Sequence, residues 1–348
     1  MKKSSRMEFE LTELPKISVL MSVYNGEQYL HEAINSILNQ TFADFEFIIV
    51  DDGSNDSSHT IIKSYDDKRI KYIKNEVNIG LSKSLNIAIS LAKGKYIARM
   101  DADDLSYPER FAKQINFLDS NHDITICGTQ MNELGKIYQV SNFPLTHNEM
   151  CIALLSGNPL AHPSVMWRKE DFDKKDFKYN EAYKTTQDYE LWSRVLYKLK
   201  GANLNESLLH YRAHDNQVSA NQSDSQRDNS IRVKLDQLKY FDLNPSEEEI
   251  GFHLCMFNND FYFKRDANTI KKVDEWMYNL YLKNVSLGIF EEGLFFKLWR
   301  ERFFGKGLYQ YNLSIWSVLK KSYCKQYCNI SAVKYYKQFL KCILTWSN

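Results

Sequence analysis

The stretch Ala98-Arg-Met-Asp-Ala-Asp-Asp104 runs an apolar strand straight into three carboxylates. Asp101 and Asp103 sit two residues apart, so on an extended strand end they point to the same side. Two hard oxygen ligands presented together, with nothing basic between them, suit a divalent cation, Mn2+ or Mg2+, that already carries phosphate oxygens. The competing reading is a solvated turn or a helix cap, since Asp104 followed by Ser106-Tyr-Pro-Glu109 is placed to start a helix. Position separates the two: the cluster is the fourth of four strand-to-helix junctions.

Those junctions follow from the hydrophobic pattern. Ile17 to Tyr24 is a β-branched run ending at Asn25-Gly26, and Tyr29, Leu30, Ala33, Ile34, Ile37 and Leu38 then share one helical face. Phe45 to Val50 is a buried strand that ends at Asp51-Asp-Gly-Ser-Asn-Asp56, a turn in which Asp56 is the better helix cap. Ile70 to Ile73 is a third strand. Leu81, Leu85, Ala88 and Ala92 mark a third helix closed by Gly94, and Tyr96 to Met100 is the fourth strand. Strands alternating with helices predict an α/β, Rossmann-like and mostly parallel sheet flanked by helices. In such sheets ligands bind beyond the carboxyl ends of the strands, where Asn25, Asp51, Asp52, Asp101 and Asp103 all lie.

Farther along, Pro144, Pro159 and Pro163 punctuate a loop-rich middle that contains His162. Gln187-Asp-Tyr-Glu-Leu-Trp192 opens a helix, and Leu208 to Tyr211 is a strand running into Arg212-Ala-His-Asp215. The expected division is an N-terminal extension over 1–15, a catalytic domain over 16–220 and a C-terminal helical region over 221–348.

Net charge over the 348 residues is only +1, yet from Phe295 onward ten Lys/Arg face a single acid, Glu301. That tail also holds fourteen aromatics. On a helix from Ser331 to Leu344, Val333, Tyr336, Leu340 and Ile343 form a stripe beside Lys334, Lys337 and Lys341, which suits an anionic membrane surface. A bundle with its aromatics packed inward is the alternative, and the acidic body argues against nucleic acid. Six scattered cysteines without metal-finger spacing read as reduced thiols. With no apolar leader and no stretch of the ~20 apolar residues that a span needs, the expected location is cytoplasmic, peripheral on the inner face of the membrane.

Ser18-Val-Leu-Met-Ser-Val-Tyr-Asn25, Ile49-Val-Asp-Asp-Gly-Ser54, Asn78-Ile-Gly80, Asp101-Ala-Asp-Asp104, Gln187-Asp-Tyr-Glu-Leu-Trp192 and Tyr211-Arg-Ala-His214 occur in that order. Together they resemble the family 2 glycosyltransferases, which have the GT-A fold, over about Lys16 to Ala220. The resemblance implies an inverting, metal-dependent transferase. Its donor would be a nucleotide sugar, with UDP the expected nucleotide, and it would act in bacterial surface-polysaccharide synthesis. The acceptor would be a hydroxyl of a glycan or polyprenyl-diphosphate-linked glycan.

It implies donor contacts from Val23, Tyr24, Asn25, Glu27, Asp52, Lys83, Asp101, Ala102, Asp103 and Arg212. Asn25 and Glu27 would bring backbone groups to the base edge, and Asp52 would accept a base N–H, with plain helix capping as its alternative. Lys83, in the loop after Asn78-Ile-Gly80, is placed for a phosphate or ribose, unless it is simply solvated. Asp103 would bind the cation, and Asp101 the ribose or the same ion. His214 is a third ligand by resemblance, against a structural histidine. Asp188 matches the family's general base, with helix capping as its competitor and Glu190 as the fallback. His162 is assigned to the acceptor entrance, against a hydrogen-bonded structural role. Two other functions remain open on sequence: a nucleotide-sugar-binding subunit without catalysis, and a sugar nucleotidylyltransferase.

Overall fold

The computed structural model describes residues 14–134, 140–214, 223–257, 266–305, 321–323 and 326. The chain divides into two units interleaved along the sequence, one of Met1–Ser141, Ala161–Glu181 and Leu204–Ala213, the other of Asn142–Leu160, Ala182–Asn203 and His214–Asn348.

In the first unit the predicted alternation is present: β1 (Ile17–Val23), α1 (Leu30–Leu38), β2 (Phe45–Asp51), α2 (Ser58–Lys63), β3 (Ile70–Lys74), α3 (Leu81–Leu91), β4 (Tyr96–Arg99), β5 (Leu105–Ser106), α4 (Arg110–Ser120) and β6 (Ile124–Glu133). α5 (His147–Ala153) belongs to the second unit; β7 (Met166–Arg168) and α6 (Lys169–Lys174) return to the first. α7 (Gln187–Val195) follows in the second unit, and β8 (Lys200–Tyr211) is a strand three times the length expected from Leu208 to Tyr211. The sheet order is β3-β2-β1-β4-β7-β6-β8-β5. Its first four strands are parallel, whereas β7 runs antiparallel to both β4 and β6.

Alternation along the strands sets the two faces. Val19, Met21, Phe47, Ile49 and Ala98 point to a core closed by Leu30, Ala33, Ile34 and Ile37 of α1 and by Phe111, Ile115 and Leu118 of α4. The opposite face meets α3 and carries a buried charge. Glu46 is bonded by Ser18, by Lys71 and by the Lys93 amide at 2.7 Å. Burial alone would raise its pKa, but those partners outweigh it and hold it below the usual range. α3 ends at Leu91 rather than at Gly94. Gly94 instead permits a close approach where the chain passes the start of β1, since a Cβ there would lie 2.4 Å from the Ser18 amide.

Register fixes which junctions are neighbours. Val23 pairs with Asp51 at the ends of β1 and β2, and Leu20 pairs with Arg99 at the end of β4. The loops after β1, β2 and β4 therefore leave one carboxyl edge together.

Among the described residues the second unit is helical apart from its share of β8. Beside α5 and α7 it contains α8 (Ser223–Asp236), α9 (Glu247–Phe257), α10 (Ala267–Leu287) and α11 (Glu292–Gly305). Thr146 and Glu149 form a reciprocal capping box at the start of α5. Gln237 ties the interior by donating to the Leu154 carbonyl at 2.8 Å, and Leu191, Trp192, Phe241, Trp276 and Trp299 are buried. No helix among the described residues is long and apolar enough to cross a membrane. The basic aromatic helix expected over 331–344 lies outside the described residues.

Candidate functional site

At the ends of β1 and β2 two loops lace into each other. The amides of Asn25, Gly26 and Glu27 donate to Ser54 Oγ (3.0 Å), Ser58 Oγ (3.0 Å) and Asp56 Oδ2 (2.9 Å). In return Asn25 Oδ1 accepts from the Asn55 amide and Glu27 Oε2 from the Ser57 amide, both at 2.9 Å. The backbone N–H groups expected to meet a base edge are thus engaged internally. Val23 is buried, whereas Tyr24 is 48% exposed and offers a ring at this edge. Asn25 takes the left-handed conformation that this crossing needs (φ 51°).

Asp52 is buried, and its carboxylate latches the loop before α3. It accepts from the Ile79 amide at 2.9 Å, the Gly80 amide at 2.8 Å and Asn75 Nδ2 at 2.8 Å. Neither of its alternatives, base acceptor or cap of the following helix, describes those bonds. Asp56 does bond the start of α2, at the Ser58 amide. Gly53 is required beside it, because φ is 73° and a Cβ would meet the Val77 carbonyl carbon at 2.6 Å. Lys83 lies in the first turn of α3, not in the preceding loop, and is exposed.

The acidic turn after β4 is built differently. Asp101 is ion-paired with Arg99, whose side chain is 1% exposed. Ala102 and Asp103 are half-buried at the turn. Asp104 does not cap α4: it is fully buried, and its Oδ1 accepts from the Arg212 amide at 2.9 Å. Burial, then the charges of Asp101 and Asp103, push its pKa well up. Burial also raises Asp101, Asp103 adds to that, and Arg99 opposes it. Three carboxylates thus share one short turn with the Arg99 guanidinium.

Arg212 clamps the same turn. Its Nε donates to the Asp103 carbonyl at 2.9 Å, its Nη2 pairs with Glu32 at 2.7 Å, and its guanidinium lies 4.4 Å from the Tyr29 ring centre. Glu32 and Tyr29 were not expected here. A tyrosine followed by an acid at the start of a helix was their only signal.

His162 occupies the hydrogen-bonded structural place that was its alternative reading. It is 8% exposed, its Nε2 bonds Tyr179 Oη at 2.8 Å, and burial together with Arg99 holds its pKa well below the usual value. In the second unit, Asp188 is the second residue of α7. The cap position belongs to Thr186, in left-handed geometry (φ 63°) and without a side-chain cap. The carboxylate of Asp188 instead accepts from Asn158 Nδ2 at 2.7 Å. Glu190 is buried and paired with Arg194 at 2.8 Å, which leaves it poorly placed as a fallback base. His214, expected as a third ligand, falls in the second unit. Among the described residues no three His, Cys, Asp or Glu side chains are gathered as a metal cage. The donor set still suits a hard cation: Asp101 and Asp103 would supply carboxylate oxygens, and a diphosphate would bring the rest.

Comparison with known proteins agrees with this architecture. The family model described as glycosyl transferase family 2 matches residues 18–191. A Haemophilus influenzae protein named as a glycosyltransferase is 34% identical over 285 residues, 77% of this chain and 86% of its own. The O-antigen biosynthesis glycosyltransferase WbnJ of Escherichia coli is 37% identical over 211 residues, 58% of this chain and 81% of its own. Among solved structures, S. aureus TarS 1-349 in complex with UDP-GlcNAc superposes with a TM-score of 0.57 at 21% identity, covering 88% of this chain and 91% of that one. The chain belongs to glycosyl transferase family 2, and its sheet and flanking helices have the GT-A fold.

Proposed function

We propose that this glycosyltransferase moves a sugar from a UDP-sugar to a hydroxyl of a glycan or lipid-linked glycan, with inversion and with a divalent cation. The observation that carries the reading is the cluster of three carboxylates in the 101–104 turn on the carboxyl edge of the sheet. A diphosphate alone would be repelled there; one that arrives with Mn2+ or Mg2+ would be held. When bound, the ion would stabilise charge developing on the leaving nucleotide, with Asp103 and Asp101 as its protein ligands. Arg212 fixes the turn by its bond to the Asp103 carbonyl, and Tyr24 offers its ring to the base.

Asp188 is the base of this proposal. As an acceptor oxygen attacks the anomeric carbon from the face opposite the diphosphate, its proton passes to the Asp188 carboxylate and the bond to the diphosphate breaks. One displacement inverts the centre and needs no second, nucleophilic carboxylate. Asn158 holds Asp188 oriented, and the dipole at the start of α7 favours its anion. WbnJ is named for O-antigen biosynthesis, which supports a surface-polysaccharide acceptor. The UDP-GlcNAc bound to TarS makes that donor the first to try. Attachment of the basic tail to an anionic membrane remains part of the proposal.

The test is a panel of nucleotide sugars with Mn2+ and a readout of released nucleotide. Release of UDP is expected, and release of pyrophosphate would indicate a nucleotidylyltransferase. Asp188→Asn should lower transfer by ~10²–10⁴ while UDP binding stays unchanged. Near-normal turnover would remove Asp188 as base, and absence of turnover by the wild type with every donor would favour a binding subunit.

A further inference from the structure

Helix α7 begins in a conformation that its sequence does not favour. Its cap residue, Thr186, is left-handed (φ 63°, ψ 15°) and makes no side-chain cap. A β-branched residue rarely stands there, and a threonine at a helix start ordinarily lies extended, its hydroxyl accepting from an amide of the first turn. Here that hydroxyl is turned to α8 instead, donating to the Gln226 carbonyl at 3.2 Å. α8 grips the preceding residue at more points. Asn229 Nδ2 donates to the Thr185 carbonyl at 3.2 Å and to Thr185 Oγ1 at 3.0 Å, and Ser225 Oγ lies 3.4 Å from the same Oγ1. Ser225 and Asn229 are four apart and share one face of α8. Thr185 is 1% exposed, so water is kept from competing for these bonds.

An unfavourable backbone conformation persists only where its surroundings over-determine it. The Thr186 carbonyl accepts from the Glu190 amide at 3.0 Å, so the backbone at Thr186 sets the direction in which α7 leaves. Asp188 lies two residues on. Its carboxylate accepts from Asn158, whose Oδ1 in turn accepts from the Leu160 amide at 3.1 Å. All of these residues belong to the second unit. We infer that Asn229 is a positioning residue: by holding Thr185 it keeps Thr186 left-handed, and so aims the Asp188 carboxylate at the acceptor hydroxyl. The inference rests on the reading of Asp188 as the base. Asn158 fixes the carboxylate, and α8 fixes the backbone that carries it.

Two measurements on the full chain test this. In protein labelled with carbon-13 threonine, the Cα and Cβ shifts of Thr186 report its backbone conformation, and Asn229→Ala should move them from left-handed toward extended values. Turnover is read with Mn2+ as nucleotide release from whichever sugar of the donor panel the wild type uses fastest. Asn229→Ala should lower kcat about tenfold, part of the ~10²–10⁴ that a general base supplies, with the KM for the donor unchanged. In the Asp188→Asn background the same substitution should have no further effect, because it acts through that carboxylate. If Asn229→Ala lacks wild-type circular dichroism, Thr185→Val replaces it, since it deletes Oγ1 and keeps the outline of the side chain. Unchanged Thr186 shifts would overturn the hold of α8 on this turn. Changed shifts with an unchanged kcat would overturn the positioning role, as would an Asn229 effect that persists without the Asp188 carboxylate. Near-normal turnover by Asp188→Asn alone, or none by the wild type with any donor, would instead remove the base reading itself.

Discussion

Two parts of the same carboxyl edge are built on opposite plans. Where β1 and β2 end, polar groups answer one another. Three successive amides of the first loop find side chains of the second, and two amides of the second find Asn25 and Glu27. Asp52 adds three bonds to the loop before α3. Where β4 ends, three acids crowd into four residues, and among the described residues the buried Arg99 guanidinium has unmet donors and Asp104 an unmet acceptor. The paired region is a frame, stable with nothing bound. The acidic region crowds like charges into one turn held in place by that frame, and titratable groups perturbed in this way cluster at functional sites.

The sharpest way to test the contrast is to remove one charge from the acidic turn. Asp103→Asn keeps the shape of the turn and the carbonyl that Arg212 grips. It should lower transfer by roughly 10²–10³, the scale of losing a cation's stabilisation of the leaving group, with the melting temperature nearly unchanged. Transfer insensitive both to this change and to EDTA would end the metal role. The frame should respond in the opposite sense. Asp52→Ala strands the Ile79 and Gly80 amides and should cost roughly 2–4 kcal/mol, read as an earlier denaturant midpoint, with weaker nucleotide binding only as a consequence. An Asp52→Ala protein that is fully stable yet unable to bind nucleotide would show the frame to be a contact surface after all.

The frame was largely legible in the sequence and the β4 turn only half so. Hydrophobic periodicity located β1 to β4, α1 and α3, because alternation and helical spacing record burial directly. The acidic turn was also plain. What periodicity could not give was where hydrogen bonds go: Asp52 reads identically whether it meets a base or two amides from residues 79 and 80, since that depends on loop contacts far apart in sequence. The hydrogen bond of His162 was hidden for the same reason, its partner Tyr179 being seventeen residues away. Lys83 was misplaced because Gly80, not a side chain, starts α3, so no capping residue announced the helix. The start of β8 at Lys200 was missed because Asn203, Asn205 and Glu206 interrupt its apolar pattern. One signal was available and unused. Arg99 stands alone in the otherwise apolar strand Tyr96-Ile-Ala-Arg-Met100, and a lone cation in a buried strand needs an anion close by.

The smallest expected effect tests the acidic turn through stability alone. Asp104 is fully buried and its pKa is raised, first by burial and then by Asp101 and Asp103. The folded protein therefore keeps this proton at a pH where the unfolded chain, with an ordinary carboxyl near pH 4, has released it. A raised folded-state pKa contributes stability in acid, below the unfolded value, and that contribution is lost as pH rises through the folded value. As pH rises between the unfolded and the folded value the fold opposes release of this proton, and wild type loses stability accordingly. Asp104→Asn removes the charge and keeps an oxygen for the Arg212 amide, so it should stabilise the protein by about 1 kcal/mol at pH 7. Thermal melts from pH 4 to pH 8 provide the check, and the gap between variant and wild type should close toward the acid end. A gap that is constant with pH would assign the change to packing. A variant that melts below wild type at pH 7 would mean that Arg99 already neutralises Asp104 in the free protein, leaving the β4 turn as well compensated as the loops after β1 and β2.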